Sequence, residues 1–191
     1  MDIWRLPTKL NINGVDWNIR TDFRVVLDIL SAINDPDLED DEKWLACLAI
    51  LYEDFDKMPA SDFLEACKQA KTFIDMGQEE KEDKGKPSKP RVMDWEQDAQ
   101  LIVPAVNKVL GKDIRGVDYM HWWTFLSAYM EIGECTYTHV LSIRTKKAKG
   151  KKLEKWEQEF ARENNDIIKL DKKLSEEEKE EEKLLEELLG V

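Results

Sequence analysis

The chain has 191 residues, room for one domain with an appendage or for two small domains. Hydrophobic residues make up 42% and can fill a core, whereas charged residues reach 37% against roughly 25% in an average domain, so the excess belongs on exposed helices, loops or tails. A net charge of −12 argues against binding nucleic acid through the phosphate backbone, and is compatible with a DNA mimic, which is acidic by design.

Three cysteines, Cys47, Cys67 and Cys135, are widely spaced and odd in number, as expected of reduced thiols in a cytoplasm. Residues 1–10 carry Asp2, Arg5 and Lys9 without an apolar centre, so no signal peptide is expected. No stretch of about 18 apolar residues suggests a membrane span. Apolar residues recur mostly at spacings of three and four, and Gly and Pro are few. The fold class expected is mainly α: a helical bundle with a small N-terminal β-hairpin and a charged C-terminal helical arm. The bundle is expected over 1–145, with the hairpin at 8–20 and a charged loop at 78–91, and the arm over 146–191.

In chain order, Leu10 and Ile12 alternate with polar residues up to Asn13-Gly14, after which Val15, Trp17 and Ile19 alternate again. Asn-Gly between alternating runs signals a hairpin, because both turn residues take positive φ. Thr21 or Asp22 then caps a first helix with the stripe Phe23, Val26, Leu27, Leu30 and Ile33, ended by Asn34-Asp35-Pro36. A second helix from Asp40 or Asp41 carries Trp44, Leu48, Leu51 and Phe55, widened by Leu45 and Tyr52, and stops at Met58-Pro59. Ser61 caps a third, with Phe63, Cys67, Ala70 and Ile74 inward and Gly77 at its end. Residues 78–91 contain no apolar residue and read as a solvated spacer.

Asp94-Trp95-Glu96-Gln97 resembles a capping box opening a helix that buries Trp95, Ala99, Ile102, Val106 and Leu110 and ends at Gly111. Pro104 inside it should kink the helix or force a restart. The stretch from Asp118 to Gly133 follows, with Trp122, Leu126 and Tyr129 on one face and Met120, Trp123 and Met130 on the other. A helix apolar on most of its circumference is buried in the middle of a bundle, so this is expected to be the central helix, capped by Asp118 and stopped by Gly133. A further helix from Thr136 or Thr138 uses Tyr137, Val140, Leu141 and Ile143. Beyond Thr145 comes a lysine-rich segment, then Leu153, Trp156, Phe160, Ile167, Leu170 and Leu174 at heptad-like spacing. Ser175-Glu176-Glu177-Glu178 restarts a last helix, apolar only at Leu184, Leu185, Leu188 and Leu189.

Candidate chemistry is sparse. Cys135 and His139, with His121, form the sole grouping reminiscent of a metal site, but zinc sites normally need paired ligands at short spacing, so no metal is expected. His121 reads instead as a polar tip at the edge of an aromatic core. The carboxylates come in exposed runs, and no phosphate loop, nucleophile elbow or His-Glu-x-x-His helix is present, so neither a catalytic residue nor a cofactor is expected, and the protein is not read as an enzyme. Trp122 and Trp123 cannot share one face: either the helix is buried all round, or one ring is an exposed anchor for a partner, a role assigned to Trp123. The arm residues Leu153, Trp156, Phe160, Ile167 and Leu170 complete the candidate partner-binding set.

Thr21-Asp22-Phe23-Arg24 after a short hairpin, Asp94-Trp95, Ile114-Arg115, then His121-Trp122-Trp123-Thr124-Phe125-Leu126, Arg144 and a lysine-rich tail resemble the bacteriophage "gene product fifteen" family of long-tailed phages of Gram-positive hosts. The His-Trp-Trp-x-Phe-Leu block is the most specific part. The resemblance implies a tail assembly chaperone in the host bacterial cytoplasm, absent from the mature virion. It would bind and solubilise the helical tape measure protein, to be displaced as the tail tube protein polymerises. No catalytic residues come with it, and neither nucleic acid nor membrane is expected as a partner, whereas a homo-oligomer is possible. The rival reading is an acidic phage inhibitor of a host protein, as DNA mimic or adaptor. The crowding of acid into the last residues, instead of across the folded surface, weighs against it.

Overall fold

The computed structural model describes residues 4–77 and 90–189, with the side chains of 182, 183 and 186–189 outside that description. Most of the charged loop expected at 78–91 therefore lies outside the described residues. What is described is mainly α, with one small antiparallel hairpin at the N-terminal end.

Strands β1 (Lys9–Ile12) and β2 (Val15–Asn18) pair with Leu10 opposite Trp17 and Ile12 opposite Val15. Asn13 (φ 50°) and Gly14 (φ 90°) make the tight turn that the sequence pattern predicts. Leu10 and Ile12 are fully buried, so the hairpin docks by one face. Helix α1 (Phe23–Ile33) starts at Asp22, whose carboxylate accepts the Arg24 N–H. Helix α2 (Asp40–Leu51) opens with a capping box in which Glu39 and Glu42 satisfy each other's backbone donors. It ends at Tyr52 in extended geometry, so Phe55 belongs to a separate 3₁₀ turn (Phe55–Lys57). Helix α3 (Phe63–Ile74) follows a second 3₁₀ turn, Ala60–Asp62, so Ser61 is not its cap.

The inward face of α3 differs from the expected stripe. Ala66, Ala70 and Phe73 are buried, whereas Phe63, Cys67 and Ile74 are only partly covered. The small residues bring α3 close to its neighbours, and the Tyr52 hydroxyl donates to Ala66 O at 3.0 Å.

Helix α4 (Ala99–Leu110) begins later than Asp94. Asp94 accepts the N–H groups of Glu96 and Gln97 in a preceding turn, and Asp98 reaches back to the Asp94 N–H at 2.9 Å. Gln97 is not a capping-box partner; its amide bridges Lys169 O and Asp171 N–H instead. The helix runs through Pro104 without a restart and ends on Gly111 in the left-handed region (φ 68°).

Helix α5 (Trp122–Met130) is the central helix, but shorter than expected, capped by His121 and not Asp118, and closed at Glu131 before Gly133. Both Trp rings are buried. Phe125 stacks on Phe23 at 4.7 Å, and Trp95 lies 4.9 Å from Tyr129 and 6.3 Å from Trp122. Residues of hairpin, α1–α5 and the start of α6 form one apolar cluster.

Helix α6 (Thr136–Ala148) leaves that cluster and builds a second, smaller one. There Val140 and Ile143 meet Ala161 of α7 (Lys155–Glu163) and Ile168 of α8 (Asn165–Ile168). The continuous heptad seam does not form: Gly150 (φ 63°) follows the end of α6, and Lys169 leaves α8 in extended geometry. Helix α9 (Glu176–Leu189) begins with the reciprocal Ser175–Glu178 box that the sequence predicts.

Candidate partner-binding groove

The residues that carry the resemblance turn out to knit the fold together. Asp22 Oδ2 accepts the Met120 N–H at 2.9 Å, Phe23 N–H donates to Met120 O, and Trp122 N–H donates to Thr21 O at 2.7 Å. Arg24 holds Val117 O at 2.7 Å and Ile114 O at 3.2 Å while its other amino group pairs with Asp22. His121 Nδ1 accepts the Trp123 N–H, and the indole N–H groups of Trp122 and Trp123 donate to the carbonyls of Ile74 and Phe73 at 2.8 Å.

Trp123 is therefore a core residue, 5% exposed, and not the exposed anchor assigned to it. Its ring stacks on Phe73 at 6.2 Å. A helix apolar all round resolves the choice left open by two adjacent Trp: each ring finds its own neighbour and its own carbonyl.

The arm residues are also redistributed. Leu153, Phe160 and Ile167 are half-buried against the second cluster, and Leu170 is partly covered. Trp156 alone stays exposed, at 46%, beside the His139 ring with its indole N–H on Glu154. Beside that apolar cluster, polar contacts with no local signal in the sequence fasten the arm to the bundle. Arg144, 5% exposed, faces Asp98, 1% exposed, in a two-pronged pair at 2.8 and 2.9 Å. The same guanidinium donates to Val92 O, Ile167 O and Ile168 O. Lys146 closes on the buried Glu157 at 2.7 and 2.8 Å, and that hydrogen bond, helped by the Glu154 N–H, pulls the Glu157 carboxyl below its ordinary range.

The three residues considered for a metal do not converge. His121 is buried, with Nε2 3.0 Å from Pro7 O; Cys135 caps α6; and His139 lies against Trp156 and Glu134. Among the described residues, no group of three or more His, Cys, Asp or Glu is placed to hold a metal ion.

The surface that is open and apolar lies elsewhere, between α2 and α3. Trp44 and Leu45 face Phe63, Leu64 and Cys67 across a groove of about 670 Å³, floored by Leu48 and edged by Asp41, Lys68 and Lys71. Trp44 is 39% exposed, Leu45 49% and Leu64 72%. A second groove of about 370 Å³, lined by Leu30, Ile33 and Ile74, meets the first at Trp44 and Lys71. The stripe of α2 predicts Trp44 and Leu45 in the core, and no predicted stripe includes Leu64. The available signal was width: with Cys47, Leu48 and Leu51 inward, Trp44 and Leu45 extend the apolar arc of α2 beyond what one neighbour covers. Volume and lining suit an apolar helix face better than a small polar ligand.

A family model described as "Bacteriophage Gp15 protein" matches residues 4–170, taking in the hairpin, both apolar clusters and the groove, with α9 beyond it. No curated protein and no solved structure matches the chain. Among the described residues, no helix is long and apolar enough to cross a membrane. A match over most of the chain, in agreement with the residues that carried the resemblance, makes this protein a member of the bacteriophage Gp15 family.

Proposed function

We propose that this protein is a tail assembly chaperone that binds the tape measure protein during tail morphogenesis, and that the α2–α3 groove is where it binds. The observation that carries the reading is the groove itself: three large apolar side chains, Trp44, Leu45 and Leu64, stand open to solvent around one furrow. Contiguous apolar surface of this kind marks an interaction site, and a furrow between two helices receives a third helix by its apolar face. An unassembled tape measure protein offers such faces and aggregates without cover. The chaperone would act in the cytoplasm of a Gram-positive host, use no catalytic residue, and leave before the virion is complete.

The test is co-expression with the tape measure protein encoded by the same phage. Wild type is expected to keep it soluble and to co-purify with it. Leu45→Asp combined with Leu64→Asp should fold as wild type, because both positions are exposed. Removing an apolar anchor of an interface typically costs about 2 kcal/mol or more, so binding should weaken roughly thirtyfold or further. The variant Trp156→Ala with Phe160→Ala serves as the comparison for the arm. If wild type fails to bind, the chaperone reading falls. If the groove variant binds like wild type, the groove is the wrong surface.

A further inference from the structure

We propose that the tip of α9 is a built-in cover for the α2–α3 groove, docking there within the same chain until a partner helix displaces it. Four observations meet. Helix α9 has no apolar residue before Leu184, then Leu184 and Leu185 followed by Leu188 and Leu189, so all its apolar character sits at one end. Leu184 is 59% and Leu185 57% exposed, side chains with nothing to gain from water.

The second observation is where α9 begins. The Glu176 N–H donates to Asp37 Oδ1 at 2.8 Å, just ahead of Asp40, the first residue of α2. Two helices starting side by side keep level as they rise by ~1.5 Å per residue. Leu184 and Leu185 stand roughly 12–14 Å beyond Glu176, and Leu48, in the groove floor, stands roughly 12 Å beyond Asp40. A rotation about Ser175 that lays α9 along α2 thus brings the leucines level with Leu48, about one turn past Trp44 and Leu45.

The third is charge. Helix α9 carries eight Glu and two Lys. The two joined grooves are lined by Lys43, Lys68 and Lys71 against Asp40, Asp41 and Asp75, an even balance in a chain of net charge −12. With the two signs in equal number, this face adds little net repulsion to the approach of an acidic helix.

The fourth is that the polar stretch before α9 is already fixed to the bundle. Gln97 holds Lys169 O and Asp171 N–H, and Lys173 Nζ lies 3.5 Å from Asp94 and Glu96. The tether confines α9 to this side of the molecule, so its effective concentration at its own groove exceeds that of another copy.

Displacement by a tape measure helix rests on the chaperone reading; the contact itself does not. The experiment therefore uses the isolated full-length chain. In a Cys135→Ser background, Leu185→Cys is introduced and the protein oxidised with diamide, which takes up the two thiol hydrogens as the disulfide forms. Cys67 lines the groove, while the Cys47 thiol, pushed up to about 12 by burial and then by Cys67, stays protonated. The expected result is a monomer in which the peptide containing position 185 is joined to that containing Cys67. A second pair, Leu45→Cys with Leu184→Cys in a Cys67→Ser, Cys135→Ser background, gives the same link through two exposed positions, with Lys179→Cys, about 140° round the helix from Leu184, replacing Leu184→Cys as the control that should not link. Linkage only as a dimer would mean that a second copy's helix fills the groove, and absence of linkage in both pairs would mean that α9 does not reach it; either result overturns the proposal. A chain that cross-links as expected but binds no tape measure protein would leave the cover standing and remove the chaperone reading.

Discussion

His121 shows how one side chain can fix a junction. Its Nδ1 accepts the Trp123 N–H at 3.0 Å, so the ring is neutral with its proton on Nε2, which donates to Pro7 O at 3.0 Å. Burial lowers its pKa, and the bond to Pro7 opposes this only in part. The native state therefore binds fewer protons than the unfolded chain below the ordinary histidine value of about 6.5. Stability is present above that value and is lost as pH falls through the window beneath it. Protonation also places a second N–H against that of Trp123, removing the cap. The urea midpoint of wild type should drop between about pH 7.5 and about pH 5.5, and His121→Asn, which caps without titrating, should drop less. Parallel slopes would show that His121 does not titrate against the fold. The polar edge of the aromatic core was legible at this position, but the cap was not. Asp118 is an ordinary cap in sequence; the bridge between Asp22 and His121 holds the preceding residues extended and delays the helix to Trp122.

Among the elements, those with a local signal were readable: Asn13-Gly14 for the hairpin, Asp22 for α1, Ser175–Glu178 for α9. The elements misread are those decided by distant partners. The spacing of Leu153, Trp156 and Phe160 is that of a seam, but Gly150 reverses the chain and the Glu154–Glu157 box starts a short helix folded back on α6. A groove between bundle helices was one of the two surfaces open to a partner, beside the arm, but its place was not legible: a helix stripe gives the width of an apolar face, never whether a neighbour covers it. A cut after Thr145, at the boundary expected between bundle and arm, carries a cost. The stripes before that point are complete, yet the cut removes Ile167 O and Ile168 O from Arg144 and uncovers Val140 and Ile143. The ion pair with Asp98 survives the cut and opens to water, so the cost comes from the uncovered apolar side chains, roughly 1.5–3 kcal/mol for each of Val140 and Ile143. A chain ending at Thr145 should lose that much stability in urea titrations followed by circular dichroism, while one ending at Leu174 should melt close to wild type. Equal stability of the two would make the arm a true appendage.

At the scale of the molecule, two apolar clusters share helices α4 and α6 and are bridged by a buried ion pair. The larger cluster spans hairpin to α5, the smaller joins α6 to α7 and α8, and Asp98–Arg144 sits between them with both side chains almost wholly out of water. A buried pair is weak evidence for stability as such, because desolvation offsets attraction. Its contribution here is coupling. Arg144 donates to the start of the α4 segment through Asp98 and Val92 O, and to the arm through Ile167 O and Ile168 O, so neither side can open without stranding a charge. Arg144→Lys keeps the charge but not the planar fork, and an ammonium with three donors cannot reach all these acceptors. In wild type, the slow amides of α7 and of α5 should exchange with similar protection, as one cooperative unit. In Arg144→Lys, α7 should exchange ten- to a hundredfold faster, a change of about 1.4–2.8 kcal/mol, with α5 less affected. If protection fell equally in both helices, the pair would be stabilising the whole fold instead of coupling two halves; if it fell in neither, a lysine would suffice and the fork would have no role.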